Sequence, residues 1–200
     1  MPKYTDPQLT MMYTKGYMDF IKYQRFKEIY NSIQTGVHVQ RDKMLFAFIY
    51  FTGARPGEIL EIKREDVQLD STKLVFRVPT LKLSKNKPEP RRTIRFVEWP
   101  NYSQFSELHD LWAAIQPLPN GMYVFGWLKM YNNPRDYIKH HIGSCAYVFR
   151  HNLMSLFLLA GGSQEQAEDL KGGGSIRSYQ HLSKEKMQER GRILTKAIKG

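Results

Sequence analysis

The sequence predicts a mainly α-helical fold with one small antiparallel β-sheet, an α+β domain. Three observations lead there. Apolar residues recur at helical spacing in several windows, most strongly over residues 41–52 and 147–160. Two short runs rich in β-branched and aromatic residues, 73–79 and 92–97, flank a single loop that contains prolines. The chain has 200 residues and is 42% hydrophobic, enough for one well-buried core, and it shows no internal repeat or low-complexity tract.

In chain order, residues 1–18 are polar and aromatic without a sustained period and read as an arm or linker. Residues 19–200 form the domain itself, the C-terminal helix included. Asp19 to Gln34 is expected to be helical, with Phe20, Tyr23, Phe26, Lys27 and Tyr30 setting its face and Gly36 ending it. Arg41 to Thr52 is a strongly apolar helix (Met44, Leu45, Phe46, Phe48, Ile49, Phe51) and belongs at the centre of the core. A glycine-containing turn follows, then a helix from Glu58 to Lys63.

Lys73 to Pro79 reads as a strand and Arg92 to Val97 as its antiparallel partner. The loop between them carries Lys82, Lys85 and Lys87, with Pro88 and Pro90 breaking it. Phe105 to Ile115 is a helix closed by Pro117 and Pro119. Residues 120–141 are expected to be irregular, with Tyr123, Phe125, Trp127, Tyr131 and Tyr137 packing into the core. In the next helix Phe149, Leu153, Leu156, Phe157 and Ala160 share a face. Gly161 and Gly162 stop it, and Ser163 with Gln166 forms a capping box for a further short helix. Gly172 to Gly174 make a flexible tether. Ser183 to Lys199 is a basic helix whose apolar positions are Met187, Ile193, Leu194, Ala197 and Ile198.

Several classes are excluded. No apolar run approaches the roughly 20 residues that span a bilayer, and no basic-then-apolar leader with a cleavage site is present. The single cysteine, Cys145, cannot form an intramolecular disulfide, and no Cys/His cluster has zinc spacing. No phosphate-binding Walker loop occurs. The expectation is a cytoplasmic chain, in a host cell if viral, with no metal and no cofactor.

Charge is more informative. The formal net charge is +11. Six basic residues from Lys82 to Arg95 face only Glu89, and eight from Lys171 onward face two acids, so these two segments hold the entire excess. Residues 51–80 are neutral, five against five. A solvated surface would mix its signs more evenly, so double-stranded DNA is the expected partner and a membrane is not. Lys82, Lys87, Arg91, Arg92 and Arg177 are the candidate phosphate contacts.

Two motifs bear on chemistry. Residues 51–60 read Phe-Thr-Gly-Ala-Arg-Pro-Gly-Glu-Ile-Leu, a turn that presents Arg55 one helical turn before Glu58. Residues 147–151 read Tyr-Val-Phe-Arg-His, and 178–183 read Ser-Tyr-Gln-His-Leu-Ser. The ordered set resembles the catalytic domain of the tyrosine recombinase (phage integrase) family from about Asp19 to the C-terminus. That family carries a Thr-Gly-x-Arg-x-x-Glu turn, a hairpin lysine, a His-x-x-Arg-His helix start and a nucleophilic tyrosine before x-His-hydrophobic-Ser. Its usual N-terminal core-binding domain has no counterpart here, which leaves a fragment or a minimal enzyme as the two readings.

The resemblance implies a site-specific recombinase that cuts and rejoins DNA as a homo-oligomer, a dimer or tetramer. Arg55 and Arg150 would hold the non-bridging phosphate oxygens, because a guanidinium is always charged and its fork matches two oxygens. Glu58 would orient Arg55, or else be an ordinary surface carboxylate. A hairpin lysine would protonate the leaving oxygen; Lys85 is the first choice, with Lys82 and Lys87 as rivals. Tyr179 would attack phosphorus and hold the DNA as a 3′-phosphotyrosine.

The chain departs from the family in two places. The usual histidine of His-x-x-Arg is Tyr147, whose phenol, with a pKa near 10, is a poor base but can donate a hydrogen bond. The family's Leu-Gly-His appears as Leu170-Lys-Gly, where Lys171 would supply the missing donor. His151 and His181 match family positions beside catalytic residues and default to structural roles. These departures suggest a divergent branch, as in archaeal or viral integrases, or a decayed enzyme. Two alternatives remain: a type IB topoisomerase-like relaxase, and a non-catalytic DNA-binding protein on the same fold.

DNA affinity should fall steeply as salt rises, through counterion release. Replacing Arg91 and Arg92 with alanine should weaken binding equally for all sequences, each lost contact removing about one unit of the salt slope. Titrations at several salt concentrations check this; salt-insensitive binding would refute the polyanion reading.

Overall fold

Helix Val39–Thr52 lies at the centre of the molecule. In the computed structural model, which describes residues 21–34, 38–80, 93–131, 133–142, 146–172 and 184–199, every residue of this helix from Leu45 to Thr52 is buried. A helix buried all round must be enclosed by other elements. Its aromatic rings show by which. Tyr50 stacks on Phe26 at 4.0 Å, Phe46 meets Phe149 edge-on at 5.4 Å, Phe48 meets Phe76 at 5.6 Å, and Phe51 meets Trp99 at 5.1 Å.

The helices are α1 (Tyr23–Ser32), α2 (Val39–Thr52), α3 (Pro56–Ile59), α4 (Ser106–Ile115), α5 (Pro134–Ile142), α6 (Ala146–Leu159), α7 (Gln164–Lys171) and α8 (Lys184–Lys199). The strands are β1 (Val67–Asp70), β2 (Lys73–Thr80) and β3 (Thr93–Pro100), one antiparallel sheet in the order β1-β2-β3. The molecule is therefore mainly helical with a small antiparallel sheet, as expected. Residues 1–18, Cys145 and Gly36 lie outside the described residues.

Three elements differ from expectation. The helix expected from Glu58 to Lys63 is the single turn α3. Beyond it the backbone turns outward to pair: Val124 N–H donates to Ile62 O and Arg64 N–H donates to Met122 O, both at 2.9 Å. Residues 120–141, expected to be irregular, contain α5. Pro134 opens it, where the missing N–H costs nothing, and Asn133 Oδ1 accepts from Arg135 N–H at 3.1 Å. Strand β1 was not expected, because only Val67 of its four residues is buried. Its pairing with β2 (Val67 opposite Phe76, Asp70 opposite Lys73) supplies what its composition does not.

The sheet buries one face against α2. Leu74 lies opposite Trp99, Phe76 opposite Val97, and Val78 opposite Arg95, and all six are buried. α1 is held by a polar clamp as well as by rings. Asn152 of α6 accepts from Ile21 N–H at 2.7 Å and donates to Ile21 O at 3.1 Å, and Tyr50 Oη also donates to Ile21 O. The Ser163–Gln166 capping box forms as read from the sequence.

The C-terminal helix α8 packs within its own chain against β3, α6 and α1. Leu194, Ala197 and Ile198 are buried, and Arg190 Nη2 donates to Phe96 O at 2.6 Å. These three side chains are thus covered by the chain's own elements. Among the described residues no helix is long and apolar enough to cross a membrane.

Gly191 sets how closely α8 approaches the sheet. A Cβ there would lie 2.8 Å from Pro100 Cδ and 3.0 Å from Glu98 O. Alanine gains about 1 kcal/mol of helix propensity over glycine, yet Gly191→Ala should destabilise the protein by about 1–2 kcal/mol through overpacking. Urea unfolding checks the sign. A stabilised variant would mean that α8 does not rest on β3.

Candidate active site

Helix α2 ends at Gly53, whose φ of 57° is the left-handed cap that glycine favours. Its N–H donates to Ile49 O at 2.8 Å. Close approach requires glycine here as well. A Cβ at this position would sit 3.2 Å from Arg150 Cα and 3.3 Å from Leu153 Cδ2, because α6 runs directly against the turn. The Thr52 hydroxyl donates to Phe48 O and accepts from Ala54 N–H, which tightens the exit from the helix. Arg55 is the N-cap of α3, Pro56 its first residue and Glu58 the third.

Glu58 is fully buried and turns inward. Its Oε2 accepts from Arg55 N–H at 2.9 Å, and its Oε1 accepts from Arg55 Nη1 at 2.8 Å. Two further guanidiniums reach the same Oε2: Arg95 Nη2 and Arg150 Nη1, each at 3.4 Å. Arg150 Nη1 also donates to Gly53 O at 2.9 Å. Arg95 Nη1 donates to Thr52 O at 2.8 Å and to Leu170 O at 3.0 Å. One carboxylate thus gathers three arginines from α3, β3 and α6. The alternative of a surface carboxylate for Glu58 is overturned.

Three guanidiniums meet one carboxylate, and among the described residues Arg150 Nε and Nη2 are buried with no hydrogen-bond partner. Burial, and next the nearby Arg95, bring the Arg150 pKa down to about 10 against the opposing pull of Glu58. The group stays charged at neutral pH, but in a place that would gain from an anion. Arg55 has 34% of its side chain exposed and opens the cluster to solvent.

A pocket of about 210 Å³ lies between α6 and α7 and contains Arg150. Tyr147 and His151 stand beside it on α6, and Lys171 and Glu168 face them from α7. Met154 and Leu158 make its apolar end. Tyr147 is half exposed, and its ring meets that of His151 edge-on at 4.3 Å. Partial burial first, then Lys171 and Arg150, hold His151 below its usual pKa. Its imidazole is neutral at pH 7 and able to accept a proton.

Of the residues singled out from sequence, Arg55, Glu58 and Arg150 are gathered in one cluster. Tyr147, His151 and Lys171 share the pocket that Arg150 enters. His151 is exposed there, its ring against that of Tyr147. Lys82, Lys85, Lys87, Arg91, Arg92, Arg177, Tyr179 and His181 lie outside the described residues. The described residues next to those stretches are in contact: a Cβ on Gly172 would lie 2.6 Å from Thr80 Oγ1. Among the described residues no three His, Cys, Asp or Glu side chains gather to hold a metal.

Sequence reasoning missed Arg95, which it counted only as one charge of a basic hairpin. Strand alternation carried the signal: positions 95, 97 and 99 share a face, and Val97 and Trp99 are plainly core residues. Comparison of the chain with protein-family models, curated proteins and solved structures gave no match.

Glu58→Gln keeps the shape and an acceptor but removes the carboxylate that three guanidiniums share. Breaking a buried ion pair from one side costs about 3–5 kcal/mol, so chemical denaturation should show a loss near 3 kcal/mol. Inorganic sulfate should restore part of it by supplying an anion. A variant as stable as wild type would mean that Glu58 does not hold the arginines together.

Proposed function

We propose that this chain is a DNA strand transferase of the tyrosine recombinase kind, a site-specific integrase acting through a 3′-phosphotyrosine. One observation carries the reading: Arg55 and Arg150, distant in sequence, converge on one buried carboxylate, and Arg150 keeps two N–H groups without a hydrogen-bond partner among the described residues. A phosphodiester resists attack because it is anionic. Fixed positive charge around the phosphorus lowers that barrier, most of all where the new charge develops in the transition state. Arg55 is open to solvent and Arg150 has unused donors, so together they suit two non-bridging oxygens.

The proposed reaction conserves the number of phosphodiester bonds. The Tyr179 hydroxyl gives up its proton to water as its oxygen bonds to phosphorus, and the bond from phosphorus to the 5′-oxygen breaks. The departing oxygen takes a proton from a hairpin lysine, Lys85 in this reading. Religation reverses these steps with another strand's 5′-hydroxyl. Tyr147, half exposed at the pocket, would donate a hydrogen bond to a phosphate oxygen, and Lys171, which lines the same pocket, would add positive charge. Tyr179 comes seven positions after Gly172, a reach of at most roughly 25 Å, so a tyrosine anchored there has the length to approach Arg150.

The test is a suicide duplex whose cleavage releases a short fragment. Wild type should form a covalent adduct, and peptide mapping should place the DNA on Tyr179. Tyr179→Phe should fold and bind DNA as wild type does, yet form none. An adduct on another tyrosine would discard this site. Tight binding to cognate DNA without any adduct would favour a non-catalytic DNA-binding role, and relaxation of a single plasmid without exchange would favour a type IB relaxase.

A further inference from the structure

Arg95 is fully buried in β3, and its guanidinium touches three parts of the chain that are remote in sequence. Nη1 donates to Thr52 O in the last turn of α2, at 2.8 Å. The same nitrogen donates to Leu170 O in the last turn of α7, at 3.0 Å. Nη2 reaches Glu58 Oε2 at 3.4 Å. The last carbonyls of a helix lack partners within it, and they sit at the negative end of its dipole. A cation that caps two such ends at once is well placed in energy, and it also ties together what each helix leads into.

Those continuations carry the proposed chemistry. After Thr52 comes the turn with Arg55 and Glu58. After Leu170 comes Gly172, where a Cβ would lie 3.1 Å from Arg95 Cδ, and then the stretch with Tyr179. Arg95 itself stands two residues after Thr93, which pairs with Thr80 where the lysine-bearing loop joins the sheet.

We infer that Arg95 is a positioning residue that fixes the anion-holding turn, the base of the lysine loop and the end of α7 relative to one another. It does not touch the phosphate; it sets the register of the groups that do. Only a planar fork with several donors can do this. A lysine would keep the charge, but its single ammonium cannot span two carbonyls and a carboxylate in the same geometry. In its kinetic arm the inference rests on the strand-transfer reading; in its structural arm it does not.

The experiment compares the full-length wild type with Arg95→Lys and Arg95→Gln. Native-state hydrogen exchange follows the amides of Gly53 and Arg55 on one side and Gly172 on the other, with α4 as control. Exchange on both sides should rise together, by at least ~10-fold, while α4 is unchanged, the mark of a local unit opening. Adduct formation under single-turnover conditions should slow by at least ~30-fold with DNA affinity changed less than about threefold, a loss confined to the chemical step. A rise confined to one side, or uniform exchange across the chain, would overturn the inference. So would an adduct rate that merely follows the folded fraction.

Should both variants fail to fold, the wild type decides the matter alone. Inorganic sulfate bound at Arg55 and Arg150 should protect Gly172 as well as Gly53 and Arg55. Protection of the turn without Gly172 would overturn the inference. If wild type forms no adduct, the strand-transfer reading fails, whereas the exchange measurements still judge Arg95.

Discussion

The Glu58 carboxylate is the constraint on which the rest of the structure depends. It is buried completely, and it is the shared partner of Arg55, Arg95 and Arg150. An ion taken out of water costs several kcal/mol, which only close partners offset. The fold therefore has to bring α3, β3 and α6 to one point, and the aromatic core around α2 does so. Phe51 against Trp99 sets β3, and Phe46 against Phe149 sets α6. Packing positions the helices; the carboxylate fixes the arginines on them.

The same arrangement explains why the turn after α2 has so little freedom. Gly53 is required twice, for its backbone angle and for the approach of Arg150. Its carbonyl then holds Arg150 Nη1 while Arg95 takes Thr52 O and Trp99 Nε1 takes Phe51 O at 3.1 Å. Three successive carbonyls at the end of α2 are thus capped by side chains from other elements. The orphan acceptors of one helix have become the sockets in which two arginines are seated. Stability and site geometry are here the same set of hydrogen bonds.

The sequence revealed helices where the apolar period was strong and failed where partners, not composition, decide. α2 and α6 were legible because Leu45 to Phe51 and Phe149 to Phe157 announce burial by themselves. β1 was not, since Gln68, Leu69 and Asp70 are exposed and form a strand only because β2 offers a free edge. α5 was hidden behind Asn133-Pro134, which reads equally as a turn and as a cap with proline in the first helical position. In the site, Arg55, Glu58 and Arg150 were legible through the order of their motifs. Arg95 was not, because an arginine in a basic run looks like a surface charge until its strand phase is compared with Val97 and Trp99.

Sequence position alone does not divide exposed from buried charge in this chain: Arg95 and Arg190 come from the two basic segments and both are buried. The basic excess lies in residues 82–95 and from Lys171 onward, whereas the neutral stretch 51–80 supplies Arg55 and Glu58. Exposed charges attract a polyanion over a Debye length of about 8–10 Å and are screened by salt; buried ones act over contact distances and are screened far less. Arg95 belongs to the first group by sequence and to the second by structure. Fully buried, it caps two helices. Arg95 therefore acts through contacts at 2.8–3.4 Å inside the fold, whatever its place in a basic run suggests.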